Sequence, residues 1–323
     1  MNSIVRTVRG DISPELLGFC DCHCHPLVIS DHLTELDASH FDVRDLKVAE
    51  SELLKFKAAG GCSLADCQPI GTGRATAEIL SLSEKTGLHI IACTGFHMQR
   101  FYPAGHWTFT ADEQELADIY ISEIREGMFT GAETAFPDRR ITARAGFIKN
   151  ATEEEDFDAT DRRRLRAAAR ANLATGAPLL CHTNRSALTH IPFLLELGVD
   201  PKSIIVAHLD KSNLPVDKYH LKIAELGVFL EFDSIVNSRR NTKDEETDLI
   251  LTILERGYSK QLMLGSDPVR PSFASYDEGG EGLDFIASVF CDKLLDAGAF
   301  EEEIEDMTVN TPREAFSFVP KQS

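Results

Sequence analysis

A chain of 323 residues with 43% apolar side chains is long enough for one large α/β unit with a substantial core. Its net charge of −19 argues against nucleic acid or an acidic membrane surface as a partner, because both call for clustered Lys and Arg. No stretch approaches the roughly 18–20 apolar residues that span a bilayer, and residues 1–10 hold no apolar run of signal length, so a cytoplasmic protein acting on small molecules is expected.

In chain order, residues 1–17 are expected to form a flap over the base of the fold. The first strand is predicted over 19–25, followed by a helix over 45–59 in which Leu46, Ala49, Leu53 and Phe56 recur at helical spacing. A strand over 61–66 precedes a helix over 75–86, and a strand over 89–95 precedes a helix over 113–126. The fourth strand is predicted over 143–149 with a helix over 161–175, the fifth over 178–182 with 187–197, and the sixth over 203–208 with 217–226. The last two pairs are 227–233 with 245–256, and 261–267 with 283–297. Residues 300–323 read as a short helical tail. Cys20, Cys22, Cys62, Cys93 and Cys181 fall within or beside these strands, which suits reduced core thiols better than a disulfide framework.

Eight strand–helix units are the number that closes a (β/α)8 TIM barrel. No low-complexity linker divides the chain, so residues 1–323 read as a single domain. A doubly wound open sheet would place a Gly-rich phosphate turn after its first strand, and none follows residue 25.

In a barrel the chemistry sits where the strands end. The first strand ends in His23-Cys24-His25, and the alternation of a strand turns both imidazoles the same way. Lys149, His182, His208 and Asp267 end the fourth, fifth, sixth and eighth strands. One histidine at a strand end is more often a satisfied polar residue than a ligand. Four of them with an aspartate at one rim point to a zinc-type site. Lys149 admits two readings, a lysine reaching for solvent or a neutral amine that takes up carbon dioxide and bridges two metals as a carbamate. His97, Arg185, Asp210, Asp233 and Arg270 fall after strands, where barrel loops build specificity. Each also has a plain reading: a loop histidine, a surface charge, a helix N-cap at Asp210, or a bond from Asp233 to a neighbouring loop. Phe101, Tyr102, Trp107 and Phe109 suit either a lid or local packing.

His23-Cys24-His25, Lys149, His182, His208 and Asp267 follow the order of the amidohydrolase superfamily and, more narrowly, the chain resembles the phosphotriesterase family, which includes lactonases. The resemblance runs from Arg9-Gly10-Asp11-Ile12-Ser13 to Asn310-Thr311-Pro312-Arg313. It implies two divalent ions, zinc by default for a nitrogen-rich site. His23, His25 and Asp267 would hold the more buried ion, His182 and His208 the more exposed one, and carbamylated Lys149 would bridge them. Cys24 stands where the family usually carries Glu, and on a strand it should point away from the metals. The segment Gly265-Ser266-Asp267-Pro268-Val269-Arg270, Tyr276, and Gly279-Gly280-Glu281-Gly282-Leu283 are similar to sugar lactonases, including those acting on phosphofuranose lactones. There, cationic and aromatic residues after the last strand hold the phosphate; Arg270 matches that role, and Pro271 stands where an adjacent Lys would help.

The implied reaction opens a sugar-type lactone, with or without a terminal phosphate, by attack of a metal-bridged hydroxide. Asp267 would take its proton and pass it to the leaving alkoxide. A phosphotriesterase or arylesterase, or an amide hydrolase, shares that site. A non-catalytic binding protein would be expected to lose ligands such as Lys149 or Asp267. A homodimer is the commonest assembly for such an enzyme.

Overall fold

The computed structural model describes all residues except 1, 153–155, 184, 213, 237–242, 277–279 and 322–323, so Gly279 of the lactonase-like stretch lies outside the described residues. Eight parallel strands form one sheet in which sequence neighbours are sheet neighbours throughout. They are β1 (Cys20–Cys24), β2 (Ser63–Asp66), β3 (His89–Gly95), β4 (Phe147–Thr152), β5 (Leu179–Thr183), β6 (Ile204–Ala207), β7 (Phe229–Phe232) and β8 (Leu262–Leu264).

The sheet closes where β8 meets β1. Ser266 N and Asp267 N both donate to His23 O, at 3.0 and 2.7 Å. The Asp21 carboxylate fastens the same seam, accepting from Ser266 N at 3.0 Å and Ser266 Oγ at 2.6 Å. Gly265 permits this approach, since a Cβ there would stand 2.7 Å from the His23 Cβ. The result is the expected (β/α)8 barrel.

Period-two alternation sorts the strand side chains. Cys20, Cys22, Cys67, Cys93, Phe147 and Phe229 fill the interior, while Leu230, Phe232 and Cys24 join the layer between sheet and helices. The helices pack by their apolar faces. Glu113–Arg125 opens with a reciprocal cap between Asp112 and Glu115 (2.9 and 2.8 Å) and buries Leu116, Ile119, Tyr120 and Ile124. Each buried aliphatic of that kind contributes about 1.5–3 kcal/mol. No helix among the described residues is long and apolar enough to cross a membrane.

The base of the barrel is covered from both ends of the chain. Ile4–Thr7 pairs antiparallel with Gly10–Ile12 and with Ser317–Phe318. Val5, Leu17 and Phe316 pack beneath the interior layer, with Phe316 edge-on to Phe147 at 5.5 Å.

The largest departures from expectation are four. The fourth strand begins at Phe147 and runs past Lys149 to Thr152, because residues 143–146 are bound elsewhere: Ala143 O accepts from Met128 N, Ala145 N donates to Glu123 O, and Gly146 packs on Arg6 O. A helix absent from the prediction, α1 (Asp31–Phe41), follows β1; it is capped by Ser30, buries only Leu33, and leaves helical geometry at Asp37. The helix over 217–226 shrinks to His220–Ala224, with a 3₁₀ turn Val216–Lys218 before it. The tail is helical to Ala315 and then becomes a strand.

Candidate metal centre

β1 delivers His23 and His25 on either side of Cys24, whose side chain joins the outer core as expected. His25 Nε2 lies 3.5 Å from Asp267 Oδ1, and His23 Nε2 lies 3.8 Å from the same oxygen. His23, His25 and Asp267 each offer a ligand atom within 4.8 Å of the others. His23 Nε2 is buried without a hydrogen-bond partner. An orphaned imidazole nitrogen facing a second imidazole and a carboxylate is the donor set of a zinc-like ion, and the residues fit one.

A second pair lies next to the first, with the His23 and His208 rings 4.8 Å apart. Asp233 accepts from His208 N at 2.9 Å and contacts His208 Nδ1 at 2.6 Å. With that proton committed, His208 Nε2 presents a lone pair to His182 Nδ1, which it meets at very close range. Lys211 Nζ also lies 2.6 Å from His208 Nδ1. Both contacts cannot be hydrogen bonds to one nitrogen. The carboxylate is the better partner, because Lys211 has the Asp267 and Asp233 carboxylates as acceptors of its own. The alternative grouping of His23, His208 and Asp233 is therefore better read as an acceptor shared behind two ligands than as a third ion site.

The backbone at this rim is strained. Among described non-glycine residues, only His208 (φ 64°) and Asp267 (φ 37°) adopt positive φ. Lys149 is wholly buried and its Nζ donates to Cys67 O at 2.9 Å. Gly95 allows the main chain of β3 to lie against Lys149, since a Cβ would stand 1.9 Å from Lys149 O.

The electrostatics follow from burial. Burial holds His25 down to about 3. Burial likewise lowers His23, His97, His182 and His208, so these imidazoles are neutral, as ligands must be. Burial would raise Asp267, but neighbouring positive charge, the Lys211 ammonium first, outweighs it and holds the carboxyl well below its usual range.

Above the rim is a cavity of about 400 Å³. His97, Arg185, Lys211 and Asp267 line it, with Leu33 and Phe41 of α1 and Phe101 opposite. His97 packs against His182 at 4.9 Å and edge-on to Phe101 at 4.4 Å. Of the predicted contacts, His97 and Arg185 reach the cavity. Asp233 turns to His208 instead, and Asp210 is buried behind the rim where it accepts from Ser234 N. Arg270 donates to Asp42 O at 2.5 Å and covers the Tyr276 ring at 4.3 Å, while Tyr276 Oη accepts from Asp45 N. Both therefore brace the α1 loop and do not line the cavity. Of the aromatic group only Phe101 forms wall; Tyr102 and Phe109 enclose the buried Arg164 guanidinium at 5.1 and 4.9 Å. Lys211 and Glu231 were missed by sequence reasoning. One helical turn after His208 brings position i+3 back over the ligand, and that spacing could have singled out Lys211.

Residues 3–316 match the phosphotriesterase family. The chain is 31% identical to a phospho-furanose lactonase of Mycoplasmopsis synoviae over all of this chain and 94% of that one. It is 29% identical to another of that name from Mycoplasmopsis agalactiae, covering 98% and 92%. Among solved structures, an amidohydrolase from Mycoplasma synoviae superimposes with a TM-score of 0.93 at 28% identity, covering 100% of this chain and 94% of that one. A lactonase from Listeria monocytogenes shares the fold, with a TM-score of 0.88 at 24% identity over 98% and 99% of the two chains. With its ligand set converging at the barrel rim, the chain belongs to the phosphotriesterase family of metal-dependent, ester-hydrolysing enzymes.

Proposed function

We propose that this protein is a binuclear lactonase, one hydrolase unit over residues 1–323, that opens a sugar-type lactone carrying a terminal phosphate. The observation that carries the reading is the convergence of His23, His25 and Asp267 beside the facing pair His182 and His208. His23, His25 and Asp267 would hold the inner ion, His182 and His208 the outer one, with carbamylated Lys149 between them. Zinc suits this nitrogen-rich set. Bound there, the ions would supply an activated water at neutral pH and polarise the substrate carbonyl.

The chain's own residues do the rest. Asp267 is held ionised by Lys211, so it can accept the proton of the attacking water and return it to the leaving alkoxide. His97 and Arg185 reach the cavity from loops above the ligands and orient the ring. The cationic side chains Lys211, Arg185 and Arg100 at the cavity favour an anionic substrate. The names of the Mycoplasmopsis relatives agree with this choice. A cytoplasmic homodimer is the setting proposed.

The test is a zinc-loaded activity screen across aldonolactones with and without a terminal phosphate, beside an activated organophosphate and a cyclic amide. Preferred hydrolysis of phosphorylated lactones is expected. Preferred turnover of the organophosphate or the amide would overturn the substrate assignment.

A further inference from the structure

Alternation along β7 turns Phe229 and Glu231 to the barrel interior, while Leu230 and Phe232 face the helices. Interior layers of such barrels are filled by apolar side chains, and here mostly by Cys, Phe, Leu, Ile and Met. Glu231 breaks that rule. It is wholly buried, Oε1 has no hydrogen-bond partner, and Oε2 lies 3.0 Å from His23 Nδ1. A buried carboxylate is destabilising unless a partner uses it, and packing alone would be met as well by Leu or Gln.

The contact has one chemical consequence. A carboxyl oxygen at that place can accept the Nδ1 proton of His23 whether or not Glu231 is ionised, which leaves the Nε2 lone pair on the side of Asp267 and His25. Asp233 Oδ2 lies 3.4 Å from the same Nδ1, longer than a well-formed bond. Asp233 is also already engaged by both the amide and the ring of His208. Glu231 is thus the acceptor dedicated to His23.

We propose that Glu231 is a positioning residue, fixing His23 as an Nε2 ligand and thereby setting the affinity of the inner ion. The inference rests on the two-ion reading above. Acceptors of this kind change metal affinity by about 10- to 100-fold when removed.

The test measures zinc affinity by competition with a chromophoric chelator on the full chain, alongside the melting temperature of the metal-free protein. Wild type is compared with Glu231→Gln and Glu231→Ala. Glu123→Gln is the control, because Glu123 is equally buried and pairs with Arg74 at 2.9 Å far from any ligand role. One of two zinc dissociation constants should weaken about 10-fold in Glu231→Gln, whose amide oxygen still accepts the proton, and about 100-fold in Glu231→Ala. The control should lower the melting temperature and leave both constants alone. The isosteric Gln variant carries the test should the Ala variant fail to fold. Unchanged constants in the Glu231 variants overturn this inference alone, provided wild type binds two ions. Absence of zinc binding in wild type overturns the two-ion reading and the inference with it.

Discussion

Asp233 grips His208 twice, accepting its backbone N–H at 2.9 Å and its ring Nδ1–H at 2.6 Å. This grip holds a ligand whose backbone sits in the left-handed region, at φ 64°. It also dictates which ring nitrogen is left for an ion. Asp233→Ala should therefore weaken the outer ion by about 10- to 100-fold. Metal analysis after dialysis against a weak chelator should show one equivalent where wild type keeps two. Full retention of both would refute the role given to this contact.

Asp267 meets His23, His25 and Lys211 at the place where the proposed hydrolysis needs a proton moved. Asp267→Asn should lower kcat by about 10²- to 10⁴-fold, the range of a lost general base. Its circular dichroism should match that of wild type. A variant that turns over at a near-normal rate would remove Asp267 from the chemistry.

Arg185 and Arg270 should separate on substrate choice. Arg185 faces the cavity, whereas Arg270 is tied to Asp42 and Tyr276 beside α1. Arg185→Met should lose about 10- to 100-fold in kcat/KM on phosphorylated lactones relative to their unphosphorylated forms, as expected for one charged hydrogen bond. Arg270→Ala should raise KM alike for both classes, through the loosened loop. A selective loss on phosphorylated lactones in Arg270→Ala would instead return it to the binding site.

His190 lies in a buried polar cluster, with Nε2 2.6 Å from Asn150 Oδ1 and Nδ1 3.0 Å from Thr152 Oγ1. Burial lowers it from the free value of 6.5 to about 3. Between those values the unfolded chain takes up a proton that the folded chain does not. Its stabilising contribution is thus complete above pH 6.5 and is lost as the pH falls toward 3. Urea midpoints of His190→Gln should fall less steeply than those of wild type across this window. Identical slopes would show that His190 titrates normally in the folded protein.

The strands were legible because short apolar runs bounded by turn residues have few other solutions in a chain of this length. The ligands were legible because strand ends are where a barrel gathers side chains from distant positions. The fourth strand was placed too early because Ala143 and Ala145 bond to Met128 and Glu123 outside the sheet, and only at Gly146, which donates to Ala92 O, does the chain reach β3. Helix α1 gave no signal, since it buries a single leucine and breaks at Asp37. Arg270 and Tyr276 carried the right chemistry for substrate, but the fold of the α1 loop supplies partners that a reading along the chain does not show. Glu231 was hidden inside a strand whose alternation was clear, because a carboxylate at an interior position makes sense only once His23 is seen opposite it.

The central claim is that six side chains from the ends of five strands share two ions. Anomalous diffraction from zinc-soaked crystals tests it most directly. The account predicts two peaks, one among His23, His25 and Asp267 and one between His182 and His208, joined by density at Lys149 Nζ that extends beyond a plain lysine. A single peak, peaks away from these residues, or an unmodified lysine turned out of the site would contradict it.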